Sequence, residues 1–260
     1  MTYSPTRSLV TGASSGIGAA FARALAARGS DLVLVARRTD RLRELADELE
    51  AAHGIRAEVV TADLSRPAAG RELRQRIEGE IDTVINNAGF GAHGPVAGED
   101  PDVLERMIAV DVAAVVDVTR AFLPGLIARR GGAIVNIAST AAFQPVPLMA
   151  AYGAAKAFVL SFSQAVWQEA RPAGVKVLAL APGFTTTEFF DVAGNADAGH
   201  GAEQTPDEVV ATGLRALDRR STPPVVVSGR ANAAAAAVSP LAPRRLVLRT
   251  VERMMRVRRA

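Results

Sequence analysis

Thr11-Gly-Ala-Ser-Ser-Gly-Ile-Gly18 follows the apolar run Ser8-Leu-Val-Thr11 and opens a segment, Ile17 to Arg28, with helical spacing at Phe21 and Leu25. Glycines 12, 16 and 18 suit a tight strand-to-helix turn, where backbone can approach an anion and the helix can pack close to the strand. The helix N-terminus, at Ile17, offers free N–H groups and the positive end of its dipole. Ser14 and Ser15 add hydroxyl donors. Glycine-rich turns also serve as plain connections, and the segments on either side decide between the two.

The alternation of strand and helix continues outward. Asp31 to Ala36 is an unbroken apolar run, the pattern of a strand covered on both faces. Asp40 to Ala52 is charged and amphipathic, and Gly54 closes it. Further strands are predicted at 57–61, 83–86, 133–138, 175–180 and 225–227, with helices at 67–78, 101–128, 149–170 and 206–219. Repeated units of this kind imply an α/β protein with a single Rossmann-type, doubly wound parallel sheet and helices on both faces. Residues 1–240 are assigned to this domain, and 49% apolar composition over 260 residues is enough to fill its core. Ligands of such sheets bind at the carboxyl ends of the strands, so the chemistry should follow each strand. Two stretches resist assignment. Residues 184–204, rich in Ala, Gly and Asp, suggest a lid or binding loop. The alanine-rich 231–239 carries no readable pattern.

Composition excludes several functions. Without cysteine the chain can form no disulfide or thiolate metal site, and His53, His93 and His200 are too scattered for a helical zinc site, so no metal is expected. A net charge of +3 is too small to argue for nucleic acid. No segment has about eighteen uninterrupted apolar residues. Met1 to Arg7 is polar and runs into a strand rather than an apolar leader, so a soluble, cytoplasmic protein is expected. Nearly all basic residues are arginine, which makes the two lysines, Lys156 and Lys176, stand out.

The second strand ends Val35-Ala36-Arg37-Arg38. A carboxylate there would hold the 2′-hydroxyl of an NAD adenosine ribose; alanine with two following arginines suits the 2′-phosphate of NADP instead, with NAD still possible. Tyr152-Gly-Ala-Ala-Lys156 puts a phenol and an ammonium at i and i+4 on one helix face. A nearby cation favours phenolate and lowers a tyrosine pKa, making it a usable general acid/base. Ser139, at the end of Ile134-Val-Asn-Ile-Ala-Ser139, can donate to a substrate carbonyl oxygen or simply cap its loop.

Together these residues resemble the short-chain dehydrogenase/reductase family over roughly residues 7 to 190. The match includes Asp63-Leu64 after the third strand, Asn86-Asn-Ala-Gly89 after the fourth, and Pro182-Gly183 after the sixth. The stretches AAYGAAKAFVLSFS and PGFTTTEF look most like a bacterial branch related to ketosteroid and acyl reductases. The resemblance implies hydride transfer between a nicotinamide and a carbonyl or secondary alcohol. Tyr152 would protonate the substrate oxygen, Ser139 would bind it, and Lys156 would hold the nicotinamide ribose. Asp63 would contact adenine, Asn87, Ala88 and Gly89 would lie on the adenosine side, and Thr185 and Thr187 would contact the nicotinamide amide. The family usually has asparagine on its central helix where this chain has Asp111. Asp111 could hold the relay water or pair with Lys156, and a working relay is expected. A homodimer or homotetramer through two long helices is also implied. A nucleotide-sensing module without catalysis is the alternative.

Substrate identity is not legible. Phe90, Phe143, Pro145, Val146, Leu148, Phe184, Phe189 and Phe190 suggest an apolar pocket, and His93 lies at its entrance or on an exposed loop. Residues 241–260 carry seven arginines and one acid, Glu252, beside Leu246, Val247, Val251, Met254 and Met255. This basic amphipathic helix is expected to dock on its own domain or a partner subunit rather than on a membrane.

Overall fold

The computed structural model describes residues 2–189, 193 and 203–256. Seven strands form one parallel sheet: β1 (Arg7–Thr11), β2 (Asp31–Ala36), β3 (Ala57–Thr61), β4 (Thr83–Asn86), β5 (Ala133–Ile137), β6 (Lys176–Ala181) and β7 (Val225–Val227). Their order is β3-β2-β1-β4-β5-β6-β7. The register sets Leu9 beside Val33 and Val10 beside Ile85. The expected α/β class and doubly wound sheet are therefore observed.

Successive strand residues face opposite sides, and the core divides accordingly. Val10, Leu32, Leu34 and Leu180 pack with Phe21, Leu25 and Leu214 under α1 (Gly16–Ala26), α2 (Thr39–His53) and α7 (Pro206–Leu217). Leu9, Val33, Val35 and Val84 face the other way, toward Leu73, Phe122 and Val166 of α3 (Ala69–Arg76), α5 (Ala114–Arg129) and α6 (Ala150–Ala170). The strand order reverses between β1 and β4, which opens a crevice at their carboxyl ends. A buried network, Asn86 to Asn136 at 2.8 Å and Asn136 to Ser163 at 2.8 Å, ties β4, β5 and α6 together beneath it.

Two elements differ from expectation. The helix predicted over 101–128 is α4 (Pro101–Ile108) running into α5 through a π-turn at Ala109–Ala113. The unreadable 231–239 belongs to α8 (Arg230–Val238), because alanine favours helix without marking a face. The C-terminal segment forms α9 (Arg244–Met255). Its Val251 and Met255 pack against Tyr152, Phe184 and Phe189 of the same chain. Among the described residues no helix is long and apolar enough to cross a membrane.

Candidate active site

A cavity of about 780 Å³ runs along the carboxyl ends of the strands. One end is the turn between β1 and α1. Gly12 has φ +65°, and a Cβ there would collide with Asn87 and Ala88, so the turn needs glycine. Ser15 precedes α1 without capping it by its side chain, leaving the N–H groups at the helix start free for an anion. Asn87 serves this turn structurally: its amide donates to the Thr11 carbonyl at 3.0 Å, while Thr11 Oγ1 accepts from the N–H groups of Asn87 and Ala88. Asp63 is held in a turn by the N–H and hydroxyl of Ser65, and the N–H bond leads in keeping its carboxyl below the usual range.

Beside the turn, Arg37 and Arg38 line the same cavity. Arg38 donates to Ser14 at 3.1 Å, to Ser15 at 2.7 Å and to Glu188 at 2.7 Å. Arg41, one helical turn further on, reaches the other Glu188 oxygen at 2.5 Å. These two arginines push the Glu188 carboxyl down to about 2. Neither Arg41 nor Glu188 was legible as a site residue. Their pairing joins two segments 147 residues apart, which no local pattern records.

The other end holds Tyr152, Lys156, Ser139 and Asp111. Asp111 is fully buried, and its carboxylate lies 2.7 Å from the Lys156 ammonium. Its second oxygen accepts from the Phe90 N–H at 3.1 Å. Lys156 also donates to the Ile137 carbonyl at 3.2 Å. Of the two roles open to Asp111, direct pairing is the one observed. The π-turn aims the residue: it displaces the helix face by one residue at this point. Gly89 leaves room for the pair, since a Cβ there would push the Asp111 carboxylate aside and crowd the Lys156 ammonium.

Tyr152 departs from expectation. Its pKa is raised, not lowered: burial outweighs the Lys156 charge, and the Asp111 carboxylate also raises it, with the Ser139 hydrogen bond working the other way. Burial likewise raises Asp111 against the pull of Lys156. Lys156 is opposed by burial, yet Asp111 and Tyr152 hold its pKa above the ordinary value. The ammonium is thus shared with a buried anion, and the protein alone does not make the phenol acidic. Ser139 caps the turn at Thr140–Phe143 through the Ala141 N–H at 3.1 Å, one of the two roles expected for it, and its hydroxyl also bonds the Tyr152 phenol.

Apolar walls enclose the space above Tyr152. Phe189 lies against its ring at 5.1 Å between centroids, and Phe90, Val146 and Phe184 line the cavity as expected. Phe143 instead packs against Val115 and Val159 in a separate cluster. Pro145 and Leu148 are not among the lining residues, and Phe190 lies outside the described residues. Ile17, Gly16, Leu64, Pro182, Gly183, Thr185 and Thr187 also line the cavity; Gly18 packs behind the turn against Gly12 and Asn87. Sequence patterns gave no sign that α8 and α9 close it with Asn232, Ala236, Val247, Val251 and Met255. His93 ties this wall down, its Nε2 lying 3.0 Å from the Met255 carbonyl.

A nucleotide-sized crevice ends at a Ser–Tyr–Lys cluster, and the family model for short chain dehydrogenase matches residues 7–197. The chain belongs to the short-chain dehydrogenase family. It is 36% identical over 186 residues to a short chain dehydrogenase of Pseudocercospora fijiensis. It is 35% identical over 187 residues to a very-long-chain 3-oxoacyl-CoA reductase of Anas platyrhynchos. Each match covers 70% of this chain and only 60% of the relative's length. Among solved structures it is similar to a short-chain dehydrogenase from Sphingobium yanoikuyae in complex with NADPH, with TM-score 0.81, 37% identity and 91% and 94% of the two chains covered. A bulky-bulky ketone specific alcohol dehydrogenase from Comamonas testosteroni gives TM-score 0.77, 31% identity and 92% and 94% coverage.

Proposed function

We infer that this protein transfers a hydride between NADP(H) and a carbonyl or secondary alcohol flanked by bulky apolar groups. The observation that carries this is one continuous cavity, with a glycine turn and arginines at one end and Tyr152, Ser139 and Lys156 at the other. The residues present fit the dinucleotide. The free N–H groups of α1 suit its pyrophosphate, and Arg37, Arg38 and Arg41 suit a 2′-phosphate.

NADPH, when bound, supplies the hydride that adds to the carbonyl carbon. The Tyr152 hydroxyl gives its proton to the carbonyl oxygen as that oxygen gains charge, and the Ser139 hydroxyl steadies the same oxygen. In the reverse direction Tyr152 takes the alcohol proton. Lys156 opposes the effect of burial on the phenol, and its charge would hold the nicotinamide ribose. Asp111 anchors Lys156 from behind. The apolar walls explain the substrate class, and they agree with the names of two similar proteins, the very-long-chain 3-oxoacyl-CoA reductase and the bulky-ketone alcohol dehydrogenase. Self-association through α5 and α6 is supported by the exposed Ile127 and Phe158.

The test is a panel of bulky ketones and alcohols with NADPH and NADH, followed at the nicotinamide absorbance, for wild type and Tyr152→Phe. Turnover by wild type should fall by about 10²–10⁴-fold in the variant while NADPH binding persists. Tight NADPH binding without any Tyr152-dependent turnover would point to the sensing module instead.

A further inference from the structure

We propose that the outer face of α8 and α9 docks on an anionic lipid bilayer, with the mouth of the cavity opening onto the lipid. Four of the exposed large apolar side chains fall within seventeen residues here: Val238 at 60% exposure, Leu241 at 84%, Leu246 at 59% and Met254 at 49%. Val238, Leu246 and Met254 also line the cavity, so the exposed apolar face is the rim of its entrance.

The pattern of α9 shows how the helix serves two surfaces. Val251 and Met255, spaced i, i+4, turn inward toward Tyr152 and Phe189, and Val247, one turn before them, is buried and lines the cavity. The next row, Leu246, Thr250 and Met254, is exposed at the cavity rim. The row beyond, Arg245, Arg249 and Arg253, is exposed as well. An apolar row flanked by arginines matches the interior and headgroup layers of a bilayer surface, where arginine stems lie along the apolar region and their charges meet phosphates.

Charge selects the occupant. Residues 241–260 hold seven arginines and one acid, so the first 240 residues carry a net charge of −3 and the excess positive charge lies at this end. A second copy of the chain meeting this face about a two-fold axis would set these arginines against their own duplicates. An anionic bilayer complements them. The docking claim stands by itself; only delivery of apolar substrate through the lipid-facing mouth rests on the reductase reading.

The experiment is co-sedimentation of the full chain with vesicles of phosphatidylcholine, and of phosphatidylcholine with phosphatidylglycerol in equal parts. Wild type should partition onto the mixed vesicles and be released by salt. Leu241→Ser/Leu246→Ser/Met254→Ser should lower the partition by about tenfold or more, and Arg245→Gln/Arg249→Gln by about fivefold for each arginine removed. NADPH titration reports whether each variant is folded. Leu241→Ser alone, at the most exposed site and away from the cavity, is the fallback if the triple variant is not, and should still weaken binding. Equal partition of wild type and folded variants, or no partition of wild type, overturns the proposal. So does an apolar variant that changes the oligomeric state and leaves partition unchanged. Vesicle binding by a protein that turns over no ketone would sink the reductase reading and leave the docking intact.

Discussion

Asp111 stands where the family resemblance implies an asparagine, and its effect is electrostatic. A buried carboxylate 2.7 Å from Lys156 raises the Tyr152 pKa. Asp111→Asn removes that negative charge, so the phenolate becomes easier to form. The Tyr152 limb of the pH–rate profile for alcohol oxidation should therefore move to lower pH, with peak turnover within about tenfold of wild type. A limb that stays put or moves up would show that Asp111 does not act through charge. A rise of orders of magnitude would mean that the natural residue impairs the relay. Arg38 offers a separate test at this scale. It is held by Ser14, Ser15 and Glu188 at the edge of the cavity. Arg38→Ala should weaken NADPH by about 10–100-fold, the value of a charge-assisted pair, and leave NADH nearly unchanged in a fluorescence titration.

The π-turn at Ala109–Ala113 is the element on which the Lys156 pair depends. It carries one residue more than a regular helix would, and deleting Ala109 should convert it to α-helix and rotate Asp111 off Lys156. A buried ammonium without its partner costs about 3–5 kcal/mol, so denaturant unfolding should show a loss of that order. An unchanged midpoint would mean that Lys156 finds another acceptor. Sequence periodicity could not reveal this turn, because Ile108 to Val116 is apolar at every position but Asp111, so no single face stands out whose shift could be read. The strands were legible because a run such as Asp31-Leu-Val-Leu-Val-Ala36, buried on both faces, has few other uses. The site residues at strand ends were legible with them. Arg41, Glu188 and the cavity wall of α8 and α9 were not, since each depends on contacts between distant segments. Burial and the Asp111 charge, which oppose an acidic Tyr152 phenol, enter only with the fold and were not legible either.

At the scale of the whole molecule, the cavity joins the β1–α1 half to the C-terminal helices across the sheet. A ligand filling it contacts both halves and binds only the folded chain, so its affinity appears directly as stability. NADPH at a hundred times its dissociation constant should add about 2.7 kcal/mol. For a chain of this size that corresponds to a rise of roughly 5–10 °C in Tm. NADH at the same concentration should give less, because it lacks the phosphate that suits Arg37, Arg38 and Arg41. In Arg38→Ala the two cofactors should shift Tm by nearly equal amounts. If NADH stabilises wild type as much as NADPH does, the arginines at the end of β2 are a surface cluster paired with Glu188 and not a phosphate site. The cofactor preference would then have to be sought elsewhere in the cavity, while the case for hydride transfer at Tyr152 would be untouched.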